Sequence, residues 1–159
     1  MTHQPRSYLL SLGLTRAREP VPLELDDRGV GLLLAGERLP VLAVARSLMV
    51  QLASQSVAPV LLRADDRITV GGVPVVALGS EAAGGRPPPH GDLPCLTLDD
   101  VPWALLHADS TVRLRCQLLS RAEFPTRLEE AGMRGRRTRG RHARADENGG
   151  IFASSALIS

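Results

Sequence analysis

The sequence predicts an α+β fold, in which a largely antiparallel sheet built from hairpins surrounds one main helix at residues 40–54. Short apolar runs, separated by turns rich in glycine and aspartate, lie on both sides of this helix. Apolar residues recur through the helix itself at helical spacing: Val41, Val44, Ala45, Leu48 and Leu52. The alternative is an α/β fold, in which parallel strands 30–35 and 57–62 are joined by this helix.

The first 35 residues predict a short helix followed by a hairpin. We treat residues 1–20 as an N-terminal segment that starts a helix around Ser7–Ala17, although Gly13 weakens it. Leu23 and Leu25 alternate with a polar residue, a turn cluster follows, and an apolar run begins at Val30. This pattern indicates a hairpin between residues 21–25 and 30–35.

The main helix predicts one buried face and one solvent face. Pro40 suits the first helical position, where its missing N–H has no partner to lose. Ser47, Gln51 and Ser54 fall opposite the apolar stripe, so we expect them to be exposed.

A three-stranded meander is expected after the helix, with strands 57–63, 67–70 and 73–78. Its turns are Asp65–Asp66 and Gly71–Gly72, and two glycines tolerate the positive φ of a tight hairpin. A Pro/Gly-rich loop follows at 79–94 and places Cys95 in a loop context.

The last predicted hairpin joins residues 103–108 to residues 111–119. Val112, Leu114, Cys116 and Leu118 alternate with polar residues, so they are expected inward, with Arg113 and Arg115 outward. Ser120 and Glu123 then form a capping box for a short helix that runs to Ala131 and ends at Gly132. The chain is thus predicted as a single α+β domain at 21–131 and a basic, disordered tail at 132–159.

Basic charge is concentrated in the tail. All 19 basic residues are arginines, and the formal net charge is +2. Six arginines and no acid lie within residues 133–144, so the rest of the chain carries a formal charge of −4. Guanidinium groups suit phosphate, and the segment has no aromatic residue for base stacking. We therefore expect contact with nucleic acid or another polyanion, without sequence readout, through Arg134, Arg136, Arg137, Arg139, Arg141 and Arg144.

The sequence predicts a cytoplasmic protein without cofactor or metal. No apolar run approaches the roughly 20 residues of a membrane span, and the N-terminal residues do not have the features of a signal peptide. Two cysteines without a secretion signal indicate free thiols in a reducing compartment. Cys95, Cys116, His90 and His107 lack the close pair spacing of zinc ligands.

Residues 91–101, GDLPCLTLDDV, contain the pattern Gly-Asp-x-Pro-x-Leu-Thr. This pattern resembles a segment of the molybdenum-cofactor and related nucleotidyltransferases, and LLLAG at 32–36 is similar to that family's opening strand. The resemblance implies a nucleotide-handling enzyme in which Asp92 lies near a metal and the nucleotide. In that family a glycine-rich loop with basic residues follows the opening strand, whereas GERLPV follows it here.

Three functional hypotheses remain. We favour a small, non-enzymatic binding or assembly protein whose arginine-rich arm contacts nucleic acid or another polyanion. The alternatives are the nucleotide-handling enzyme with Asp92, and a protein–protein adaptor whose tail is incidental. The missing phosphate-binding glycine loop disfavours the enzyme.

Overall fold

The computed structural model describes residues 6–79 and 93–143, which form one mixed sheet of nine strands with two helices. The sheet is a curled half-barrel with the strand order β2-β1-β9-β8-β7-β3-β6-β5-β4. In chain order its strands are Ser7–Leu14, Pro20–Asp26, Leu32–Gly36, Val60–Leu62, Arg67–Val70, Val73–Leu78, Cys95–Asp100, Trp103–His107 and Thr111–Cys116, numbered β1 to β9. The helices are α1, Arg38–Gln55, and α2, Phe124–Ala143. This architecture agrees with the predicted α+β class.

The strand β3 lies in the interior of the sheet and forms its parallel pairs. It pairs in parallel with β6 on one side and with β7 on the other, whereas all other described strand pairs are antiparallel. Four consecutive residues of β3, Leu32–Ala35, are buried. Such a run without alternation is typical of a strand that is covered on both faces. The sheet is therefore largely antiparallel, as predicted, but not entirely so.

The structure corrects the predictions for the first 35 residues. Residues 7–14 form β1 rather than a helix, because Tyr8, Leu10 and Leu12 alternate inward in the period of a strand. The strand β2 pairs with β1, so the predicted hairpin between 21–25 and 30–35 does not form. The predicted parallel pairing of 30–35 with 57–62 is also absent, since β6 and β5 lie between β3 and β4.

The predicted meander and the last hairpin are found. The strands β4, β5 and β6 pair consecutively and antiparallel, with Gly71 and Gly72 in the left-handed conformation at the second turn. The strand β8 pairs with β9, where Leu114 and Cys116 are buried and Arg113 and Arg115 are exposed. The strand ends at Cys116, however, so Leu118 is 43% exposed instead of inward.

The helix α1 lies against the sheet and contacts β1, β3, β4 and β5. It begins two residues earlier than predicted, which puts Pro40 at the third helical position. Backbone N–H groups in this first turn have no partner within the helix, so a proline without an N–H is still tolerated there. Ser47 is buried, contrary to its predicted exposure. Its hydroxyl lies 3.4 Å from Oε1 of Gln117, in the segment after β9 that runs back to α1.

The helix α2 begins at Phe124, four residues after the predicted cap Ser120, and it ends later than predicted. The Ser120 hydroxyl accepts a hydrogen bond from the Glu123 N–H at 3.2 Å. Phe124, Leu128 and Ala131, spaced by four and three residues, pack on the core. The helix does not stop at Gly132 but continues to Ala143, so it overlaps the predicted tail at 132–159 in residues 132–143.

Candidate functional site

The helix α2 consists of two parts with different composition, residues 124–132 and residues 133–143. Up to Ala131, which is 4% exposed, the helix packs on the core. Met133, two positions later and therefore on another face of the helix, is 42% exposed. From Met133 to Ala143 it continues for about 16 Å, at 1.5 Å per residue.

The second part of α2 carries five of the six arginines that we predicted as the binding site. Arg134, Arg136, Arg137, Arg139 and Arg141 all occupy helical positions. Arg144 lies outside the described residues, and so does Asp92, the predicted nucleotide residue. Cationic residues near the C-terminal end of a helix interact favourably with its dipole, so this charge pattern is compatible with the observed helix.

The segments that carry the nucleotidyltransferase resemblance are neighbours in the sheet. LLLAG is β3, and the residues that follow Asp92 enter β7, which pairs with β3 in parallel. Gly36 ends β3 with a φ of +134°, and an added Cβ would meet the Leu98 carbonyl oxygen. This glycine therefore permits close packing of two strands.

Both cysteines are buried thiols within strands. Cys95 is the first residue of β7 and only 4% exposed, so the predicted loop context is wrong. Burial raises the pKa of Cys95, partly offset by a contact of its Sγ with the Thr97 hydroxyl at 3.8 Å. Burial also raises the pKa of Cys116, to about 11. A high pKa disfavours the thiolate, which is the form that acts as nucleophile or metal ligand.

The described part of the chain holds no group of three or more His, Cys, Asp or Glu residues arranged to bind a metal. His90, one of the four residues considered for zinc, lies outside it. In the same described part, no helix has both the length and the hydropathy needed to cross a membrane.

An apolar groove of about 470 Å³ lies between the first part of α2 and the chain segment that joins α1 to β4. We call it the β4 groove. One wall is formed by residues of the connection and of β4, among them Val57, Pro59 and Leu61. The other wall is formed by Pro125, Leu128, Glu129 and Gly132 of α2. Sequence reasoning missed this groove, because its two walls come from segments about 70 residues apart.

The groove adjoins an open edge of the sheet. The strand β4 is the last in the strand order and pairs only with β5 among the described strands. Leu61 of this strand is 48% exposed, and Val57 just before it is 39% exposed. The volume of the β4 groove lies in the range of sites that bind small ligands, and like them the groove is lined mainly by apolar side chains.

The comparisons with known proteins give no assignment: no family model, no curated protein and no solved structure matches this chain. The functional argument therefore depends on the two features of α2, which are its arginine-rich second part and the groove along its first part.

Proposed function

We propose that this protein is a non-enzymatic binding protein that contacts nucleic acid, or another polyanion, through the arginine-rich second part of α2 and Arg144. The observation that supports the proposal best is the continuation of α2 past Gly132, through five of the six arginines. The segment 133–144, most of it helical, holds six arginines and no acid, whereas the rest of the chain has a formal charge of −4. Five of the six arginines occupy helical positions, and a helical backbone loses less entropy on binding than a free chain does.

The expected binding mode is electrostatic. Each guanidinium is permanently charged and suits a phosphate oxygen pair. The segment 133–144 contains no aromatic residue and no acid, so it offers neither base stacking nor acceptance of base amino groups. Affinity should then depend on salt and very little on nucleotide sequence.

The test compares three full-length proteins on a fluorescent single-stranded oligonucleotide at several salt concentrations. In the test variant all six arginines between 134 and 144 are replaced by glutamine, which is also a good helix former. The matched control has the same change of net charge at six exposed positions elsewhere: Arg16, Arg28, Arg63, Arg67, Arg121 and Arg127.

We expect the parent and the control to bind with a slope of log K against log salt of roughly −4, from about 0.7 per phosphate contact. The test variant should lose most of this affinity. Equal losses in the test variant and the control would assign binding to net charge and contradict the proposal. Absence of binding by the parent to any polyanion would also contradict it.

A further inference from the structure

Beside the β4 groove lies the edge of β4 that has no strand partner within the described part of the chain. The Pro59 carbonyl accepts from the Gly71 N–H at 2.9 Å, and the Arg63 N–H donates to the Arg67 carbonyl at 2.8 Å. Because bonding direction alternates along a strand, residues 59, 61 and 63 point to β5. The N–H and C=O groups of Val60 and Leu62 therefore point away from β5, toward the open edge.

An open edge next to an apolar groove favours an extended apolar segment as the occupant. Such a segment can pair with the backbone of β4 and place its side chains in the groove. Residues 151–159 of this chain, IFASSALIS, have this composition, with six apolar residues and no charge among nine. The segment lies outside the described residues.

The covalent connection allows this segment to reach the groove. Gly132 lines the groove, and the helix continues from there for about 16 Å to Ala143. Residues 144–150 then provide eight Cα–Cα steps to Ile151, or up to about 26 Å when extended. This exceeds the distance back along the helix, and glycine, the residue at positions 149 and 150, tolerates the backbone conformations that a chain reversal requires.

We propose that residues 151–159 bind in the β4 groove of their own chain and add a tenth strand to the edge of β4. The segment covers Leu61 and Val57 and uses the N–H and C=O groups of Val60 and Leu62. This capping of the edge also prevents its pairing with other chains. The proposal is independent of polyanion binding by the arginines.

Amide hydrogen exchange, measured by NMR on the full chain, tests the proposal. Leu61 is an internal reference, because its N–H points to β5 whether the groove is filled or empty. In the parent we expect the amides of Val60 and Leu62 to be protected. In a Phe152→Ser/Leu157→Ser variant they should exchange at least about tenfold faster, while Leu61 is unchanged.

The control variant is Leu39→Ser, which removes an apolar side chain that is 77% exposed on the first turn of α1. It should leave the exchange of Val60 and Leu62 as in the parent. Sedimentation at two protein concentrations should show a monomer. Fast exchange of Val60 and Leu62 in the parent, or protection unchanged in the double variant, would overturn the proposal. Protection that appears only with dimer formation would assign the groove to a second copy and also overturn it.

Discussion

Gln51 of α1 uses both ends of its carboxamide to bind the backbone of Ser11 in β1. Its Oε1 accepts from the Ser11 N–H at 2.7 Å, and its Nε2 donates to the Ser11 carbonyl at 2.9 Å. Gln55, one turn later, forms the same pair of bonds with Leu9, at 2.8 and 2.7 Å. Two side chains of a helix thus provide the hydrogen bonds that a neighbouring strand provides elsewhere in the sheet.

The position of these bonds explains why they are needed. The strand β1 pairs with β9 only at Gly13 and Leu14, and β9 ends at Cys116. After that residue the chain turns to α1, where the Leu119 N–H donates to the Ala43 carbonyl. The N-terminal part of β1 would therefore have an unpaired edge, and α1 pairs with it instead.

We predict that Gln51→Ala lowers the free energy of unfolding by about 1–2 kcal/mol, since two hydrogen bonds are lost. Exchange of the Ser11 amide should accelerate. Gln51→Glu keeps the size but, when ionised, has no donor for the Ser11 carbonyl. Its cost should therefore decrease below about pH 4, where the carboxyl group becomes protonated. Urea unfolding of the parent and of the two variants at pH 7 and pH 3 measures these free energies. If the loss of stability in Gln51→Glu were independent of pH, the hydrogen bond from Gln51 to the Ser11 carbonyl would not contribute to stability.

The buried face of α1 gives a second prediction. Leu48 is 1% exposed at the centre of the helix, whereas Leu39 at its start is 77% exposed. Leu48→Ala should cost about 2–5 kcal/mol, and Leu39→Ala should be nearly neutral. Thermal or urea unfolding distinguishes the two variants. Equal effects would show that the helix does not pack on the sheet by this face.

The sequence predicts those parts of the fold in which the contacting residues are close together along the chain. The meander β4–β6 was predicted correctly, because glycine and aspartate turns separate its strands along the chain. The parallel pairing of β3 was missed, because its partners β6 and β7 are about 40 and 60 residues away. The burial of Ser47 was missed for the same kind of reason. Its hydroxyl contacts the Gln117 side chain at 3.4 Å, and no pattern within α1 indicates that neighbour.

Two other differences between the prediction and the structure, at β1 and at the end of α2, come from sequence patterns that fit more than one structure. The inward alternation of Tyr8, Leu10 and Leu12 was available, yet the leucine-rich run also fits a helix. The end of α2 was predicted at Gly132, but glycine within a helix costs only about 1 kcal/mol and need not end it. The arginine cluster could be read from the sequence alone, whereas the β4 groove required the tertiary structure.

The thiol of Cys116 predicts a change of stability at alkaline pH. Burial raises its pKa in the folded protein to about 11 from 9.0. Between these pH values the unfolded chain loses the proton and the folded chain keeps it, so stability is full below pH 9 and decreases as the pH rises toward 11. One proton contributes at most about 1.4 kcal/mol per pH unit.

Cys116→Ala removes this contribution, so its stability should depend less steeply on pH than that of the parent between pH 9 and 11. The slopes are compared rather than the absolute values, because the substitution also leaves a small cavity. Urea unfolding at three pH values provides the measurement. Identical slopes in the two proteins would show that the thiol is accessible to water in the folded state.

The two glycines in the second part of α2 provide the last prediction, which connects helix formation with binding. Gly135 and Gly140 occupy helical positions, and each costs the helix about 1 kcal/mol relative to alanine. Gly135→Ala/Gly140→Ala should therefore raise the helix signal in far-ultraviolet circular dichroism without changing the charge. The double alanine variant should also strengthen polyanion binding at fixed salt, because less backbone entropy is lost.

The opposite change is Gly135→Pro, which breaks a helix interior and should therefore lower the helix signal and weaken binding. The slope against log salt should be the same in all three proteins, since the six arginines are retained. If affinity were unaffected while the helix signal changed in both directions, the arginines would bind as a flexible chain and the helical arrangement would have no part in binding.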